Sequence, residues 1–272
     1  MSLPTPNAIV ESTGLPAGSH LQRVLLSEAQ RLRGFRAQQA DPATHRKSPG
    51  AFEAALRPGQ GVIAEFKQGS PSLGPFAAGT PLLPQLGRYI EGGAAAFSIL
   101  VEPAFFLGSA ADLKTASTLG PPCLYKGFLL AEAQLDEAAA CGASAVLLIA
   151  RVLRDHTAAF AEAARLRGLE PLVELHDLTE IPFAQQAQAR LVGINARDLS
   201  TFTLGSPSAA PLREAFPDAV LIRESGLATP EDALASFEAG FDAVLMGEAL
   251  MRSPDPVGFL RRIAAGRIRV AP

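Results

Sequence analysis

The sequence is short of four things, and each shortage removes a class of protein. No apolar run reaches the roughly 18 residues that a membrane-crossing helix needs, so no membrane partner is expected. There are only two cysteines, Cys123 and Cys141, in 272 residues. They form neither a disulfide framework nor a zinc pattern, and both read as inert buried thiols. Basic residues form no stripe, and the net charge is −3 with mixed signs along the chain, which argues against a nucleic-acid partner. Residues 1–16 lack the basic head and apolar core of a secretory signal, so a cytoplasmic location is expected.

What remains is a globular chain with 48% hydrophobic residues. Its length suits one large core better than two. Its centre of gravity is residues 61–74. Val62, Ile63, Ala64 and Phe66 read as a buried strand, and Gly69-Ser-Pro-Ser-Leu-Gly74 as turn chemistry. Glu65 and Lys67 lie where strand becomes loop. Strand side chains alternate, so the two share a face. On this stretch alone they fit either a structural ion pair or catalytic groups at a barrel mouth.

The same unit then recurs. Short apolar strands are predicted at 62–66, 95–100, 123–126, 145–149, 171–175, 191–195, 220–222 and 243–246, with helical patterns between them. Eight alternating units predict a (β/α)8 TIM barrel. An open doubly wound sheet would carry Gly-x-Gly-x-x-Gly after its first strand, and none is present. Residues 1–50 read as an N-terminal extension and 51–272 as the barrel. Residues 1–17 are expected to be loosely held, residues 19–39 show helical spacing, and the extension is expected to cap one end.

In a barrel, polar groups at the C-terminal strand ends share one mouth. Here these are Glu65, Lys67, Ser98, Glu102, Lys126, Glu174, Asn195, Arg197, Glu224, Ser225 and, after Gly247, Glu248. One buried ion at a strand end is most simply a brace; this many, from separate strands, point to chemistry. Gly226 and Gly247 follow strands seven and eight, where barrels commonly bind phosphate through backbone N–H groups. His176 reads as a hydrogen-bonding wall residue rather than a metal ligand, and no metal is expected.

Ordered blocks of the chain resemble one family. They are Ile63-Ala-Glu-Phe-Lys67 with Ser70-Pro-Ser72, Ser98-Ile-Leu100 with Phe105-Phe-Leu-Gly-Ser109, and Leu172-Val-Glu-Leu-His-Asp177. Gly193-Ile-Asn-Ala-Arg-Asp-Leu199, Glu224-Ser-Gly226 and Met246-Gly-Glu-Ala-Leu-Met-Arg252 complete the set. The set is similar to indole-3-glycerol-phosphate synthase, the ring-closing carboxy-lyase of tryptophan biosynthesis. The resemblance implies a small phosphosugar substrate, 1-(2-carboxyphenylamino)-1-deoxyribulose 5-phosphate, with no cofactor and a monomeric enzyme. It implies Lys126 as general acid and Glu174 as general base. Lys67 would hold the substrate's acidic groups and protonate the departing hydroxyl. Glu65, Asn195 and Glu224 would act at the reacting centre. Ser70, Phe105, Phe128, Arg197, Ser225, Gly226 and Gly247 would bind substrate and phosphate.

The chain departs from the family in places. Gly127 replaces an aspartate, Tyr125 stands where arginine is common, and Gln68 and Gly69 stand where basic residues are common. Glycine at 127 predicts a freer segment after Lys126, so that Gly127→Asp would raise kcat. Two other readings compete. One is a different phosphosugar barrel such as phosphoribosylanthranilate isomerase, whose Cys/Asp pair this chain lacks. The other is a non-catalytic sugar-phosphate-binding paralogue, against which Lys67, Lys126 and Glu174 argue.

Overall fold

The computed structural model describes residues 3–35, 48–196 and 208–267. Eight parallel strands close into a barrel in chain order: β1 (Gly61–Phe66), β2 (Ala96–Leu100), β3 (Cys123–Lys126), β4 (Ala145–Ile149), β5 (Glu170–Leu175), β6 (Leu191–Asn195), β7 (Val220–Glu224) and β8 (Ala243–Met246). Closure comes from β1, which pairs with β2 at Ile63 opposite Ala96 and with β8 at Gly61 opposite Ala243. Helices cover the outside, so both strand faces are dry. All residues of β1, β2, β4 and β8 are buried, which is why these strands read as continuous apolar runs. β7 extends past its predicted end at 222. Arg223 and Glu224 stay in register with β8, and Glu224 also pairs with Asn195 of β6. Their charges hid two strand residues.

The N-terminal segment is more ordered than its Pro-, Ser- and Gly-rich sequence suggested. Helix α1 (Pro6–Ser12) is capped by Thr5 and starts on Pro6, a position where a missing N–H costs nothing, and it buries Ile9 and Val10. Helix α2 (His20–Arg31) is capped by Ser19 and buries Leu21, Val24, Leu25 and Ala29. Helix α3 (Ala51–Leu56) sits under the barrel with Phe52 and Leu56 fully buried. Its first-turn N–H groups, on Phe52 and Glu53, donate to Glu170 at the start of β5, at 2.7 and 2.8 Å. Glu28 of α2 instead accepts from Gln134, on the helix that follows β3. The segment therefore touches both ends of the barrel. Among the described residues no helix is long and apolar enough to cross a membrane.

Candidate active site

Two clusters of charge stand at the C-terminal strand ends. Lys126, the last residue of β3, donates to Glu174 of β5 at 3.1 Å and to Glu224 of β7 at 2.6 Å. Across the mouth, the Lys67 ammonium lies 2.9 Å from Glu65, and Ser98 of β2 donates to the other Glu65 oxygen at 3.2 Å. The three carboxylates are buried, as is most of the Lys126 stem. Two glycines make room for them. A Cβ on Gly193 would overlap the Glu224 carboxylate, and one on Gly247 would overlap Glu65 and press on Lys67. Gly193 went unnoticed as a site residue in the sequence, because a missing side chain carries no chemistry until its neighbour is known.

These groups face a cavity of about 630 Å³ whose apolar floor includes Leu147 and Ile149. Ser70, Phe128, Asn195, Ser225, Gly226 and Gly247 line it. Phe105 does not: Phe106 does, and its ring centroid lies 6.0 Å from that of Phe128. Glu102 makes the difference by accepting the N–H groups of Ala104, Phe105 and Phe106 at 3.0, 2.7 and 3.1 Å. It is a loop brace, and the turn it holds aims the second phenylalanine inward. Arg197 lies outside the described residues. Arg252 and Phe259 also line the mouth; Arg252 ended a quoted block without being singled out, and nothing in the sequence marked Phe259.

His176 packs its Nε2 3.3 Å from Glu174, and its backbone N–H donates to Glu180 at 2.8 Å. Gln68 clamps the loop after β1. Its side-chain oxygen accepts from Gly79 at 2.7 Å, its carbonyl accepts from Phe76 and Ala77, and its own N–H donates to Phe106 at 3.3 Å. A position read as a lost positive charge is a structural knot. At Gly127 the backbone is not left-handed, but a Cβ would lie 2.8 Å from Val101 Cγ2 and 3.5 Å from Tyr125 Cε1. Aspartate alone therefore does not fit there without moving Val101. Among the described residues, no group of three His, Cys, Asp or Glu side chains is placed to hold a metal.

The electrostatics divide the carboxylates. Burial pushes the Glu224 carboxyl up, and Glu174 beside it adds to this against the pull of Lys126, leaving it at about 8. Burial acts on Glu174 in the same sense, but Lys126 and then His176 outweigh it and hold Glu174 well below the carboxylate range. Glu65 is lowered too, since Lys67 and Lys126 outweigh its burial. Burial works against the Lys126 ammonium, yet Glu174, Glu224 and Glu65 together raise its pKa. Beside the Lys126 ammonium, Glu174 is held toward its ionised form and Glu224 toward its protonated form, the pair titrating as a unit. A cationic acid, an anionic base and a neutral hydrogen-bond donor around one dry cavity suit proton transfer in both directions.

The family model for indole-3-glycerol phosphate synthase matches residues 21–263. A protein of that name from Opitutus terrae is 40% identical over 231 residues, covering 81% of this chain and 87% of its own length. Another, from Desulfosudis oleivorans, is 40% identical over 243 residues, covering 86% and 92%. Among solved structures, thiamine phosphate pyrophosphorylase from Pyrococcus furiosus superposes with a TM-score of 0.59 at 15% identity, covering 78% of this chain and 98% of its own. That likeness speaks for the barrel alone.

Proposed function

The chain belongs to the indole-3-glycerol phosphate synthase family, and from that premise we propose how its residues divide the work. The activity is that of a carbon–carbon lyase of tryptophan biosynthesis: 1-(2-carboxyphenylamino)-1-deoxyribulose 5-phosphate closes its ring, loses carbon dioxide and then water. The observation that carries the assignment of roles is Lys126 held between Glu174 and Glu224, 3.1 and 2.6 Å away, at the floor of the cavity.

In the first step the anthranilate ring carbon bonds to the ketose carbonyl carbon. The carbonyl oxygen gains a proton, and Lys126 supplies it. The carboxylate carbon–ring bond then breaks, its electron pair returns to the ring, and carbon dioxide leaves from a carboxylate removed from water. In the last step the hydroxyl formed in the first step leaves as water with a proton from Lys67, while Glu174 takes the proton that restores the aromatic indole. Glu65 and Ser98 orient Lys67. Glu224, carrying its proton, and Asn195 hydrogen-bond at the reacting centre.

Phosphate is assigned to the loops after β7 and β8. Ser225 and Gly226 both have positive φ, +65° and +71°, which turns their peptide groups sharply at the cavity edge. The helix that follows is capped by its own residues: Asp232 accepts from Ala228 and Thr229 at 2.8 Å each, and Thr229 caps the Asp232 N–H. Anion contact therefore falls to Ser225, Gly226 and Gly247, with Arg197 assigned beside them from the family pattern. Ser70, Phe105 and Phe128 are assigned to the aromatic end, where the cavity geometry favours Phe106 over Phe105. A monomer in the cytoplasm, residues 1–50 packed on a 51–272 barrel, working on a small phosphosugar without cofactor, is the setting this reading implies.

The test is Lys126→Ala. Kcat should fall about 10²–10⁴-fold, the usual contribution of a general acid, with KM nearly unchanged. Near wild-type kcat would assign the acid elsewhere.

A further inference from the structure

Lys126 is followed by a glycine, so residue 127 has no side chain with which to anchor the segment. The Lys126 carbonyl is held by the Val101 N–H at 3.0 Å. The next fixed point is the Phe128 carbonyl, which accepts from Gln134 Nε2 at 3.0 Å. Gln134 is fully buried, and its amide is completely used. The oxygen accepts from Leu130 and Ala131 at 2.7 and 3.0 Å, and Nε2 also donates to Glu28 at 2.8 Å. Glu28 is itself buried, on α2, and is gripped by Arg31 at 2.6 and 2.9 Å. On the other side of Lys126, Tyr125 donates to Glu137 at 2.7 Å, on the same helix as Gln134.

We propose that Glu28 and Gln134 are positioning residues for Lys126, so that α2 sets the geometry of the acid through a hydrogen-bonded relay, Glu28 to Gln134 to the Phe128 carbonyl. A primary amide has two donors and two acceptor sites. With Glu28 taking one N–H, the amide plane has one satisfactory orientation, and in that orientation it pins residues 128, 130 and 131 together. Without Glu28 the amide keeps an unmatched buried N–H and gains a reason to rotate, which frees the Phe128 carbonyl. Phe128 also lines the cavity against Phe106, so its backbone links the relay to the substrate wall. The relay supplies to this chain a constraint that the glycine at 127 cannot. It rests on the reading of Lys126 as the acid.

The test compares Glu28→Ala, Glu28→Gln and Leu25→Ala. Glutamine at 28 keeps one oxygen for Gln134 and an Arg31 N–H, while its NH2 replaces the oxygen that accepts from Arg31 Nε at 2.9 Å, so that N–H of Arg31, which reaches solvent, turns to water. Leu25 is fully buried on the same helix, with no part in the relay. Glu28→Ala should lower kcat about tenfold with KM changed less than about threefold, since a displacement near 1 Å costs on the order of 10²-fold. Glu28→Gln should restore kcat, and Leu25→Ala should lower Tm but leave kcat of the folded enzyme within about twofold, its site geometry being untouched. Amide exchange at Leu130 and Ala131 should quicken in Glu28→Ala and not in Glu28→Gln. Unchanged kcat in Glu28→Ala, or an equal fall in Leu25→Ala, would overturn the relay. Lys126→Ala measured alongside separates the two ideas: if it is inactive while Glu28→Ala is normal, the acid stands and the relay falls.

Discussion

Gly127 and Val101 form a coupled pair. A Cβ at 127 would lie 2.8 Å from Val101 Cγ2, whereas ordinary contact begins at 3.4 Å, so the neighbour must retreat by about 0.6 Å. Val101 is buried and β-branched, with little rotamer freedom to give. Overpacking of this kind costs about 1–3 kcal/mol. For a chain of this size that is a fall in Tm of about 2–4 °C per kcal/mol. No backbone strain adds to it, because Gly127 is outside the left-handed region. The displacement has a direct route to the acid: the Val101 N–H is bonded to the Lys126 carbonyl. Gly127→Ala is therefore expected to lower both Tm and kcat. Val101→Ala opens the space, and in that background Gly127→Ala, and then Gly127→Asp, should be tolerated. The double-mutant cycle should show a favourable coupling of about 1–2 kcal/mol, within the range for residues in contact. Thermal melts give the stability arm. Product fluorescence gives the kinetic arm, since the protein has no tryptophan to add background. Additive effects, or a Gly127→Ala variant as stable and active as wild type, would refute the steric argument.

Two further outcomes follow from the site. Burial, with Glu174 beside it, pushes the Glu224 carboxyl up to about 8, so kcat/KM should fall on the alkaline side of that value. Glu224→Gln, which keeps a donor at all pH values, should flatten that limb; an identical pH profile in the variant would remove the proton from the mechanism. Gly247→Ala places a methyl group on Glu65 and Lys67, so it should reduce kcat and also weaken competitive inhibition by inorganic phosphate; normal inhibition would take the phosphate off the β8 loop.

The sequence by itself determined the barrel. Eight short apolar runs separated by helical spacing are a local signal, written in the order the strands close, and they agree with the structure to within one residue at each end except where Arg223 and Glu224 carry β7 two residues further. Strand ends also announced Glu65, Lys67, Lys126, Glu174 and Glu224, because a charge at the end of a dry strand stands out from its neighbours. Tertiary structure alone decided how these groups are matched. Nothing in the spacing of residues 126, 174 and 224 says that one ammonium bridges two carboxyl groups. Closing the ring puts β3, β5 and β7 around one axis; burial raises both carboxyls, and Lys126 with His176 then pulls Glu174 down while Glu174 holds Glu224 up. The same holds for Gly193 and Gly247, whose meaning is the side chain that passes over them, and for Glu28, 106 residues from Gln134. Local pattern fixes which element a residue joins. The partner across the barrel is set by closure, and it is the partner that gives a charged side chain its protonation state and its role.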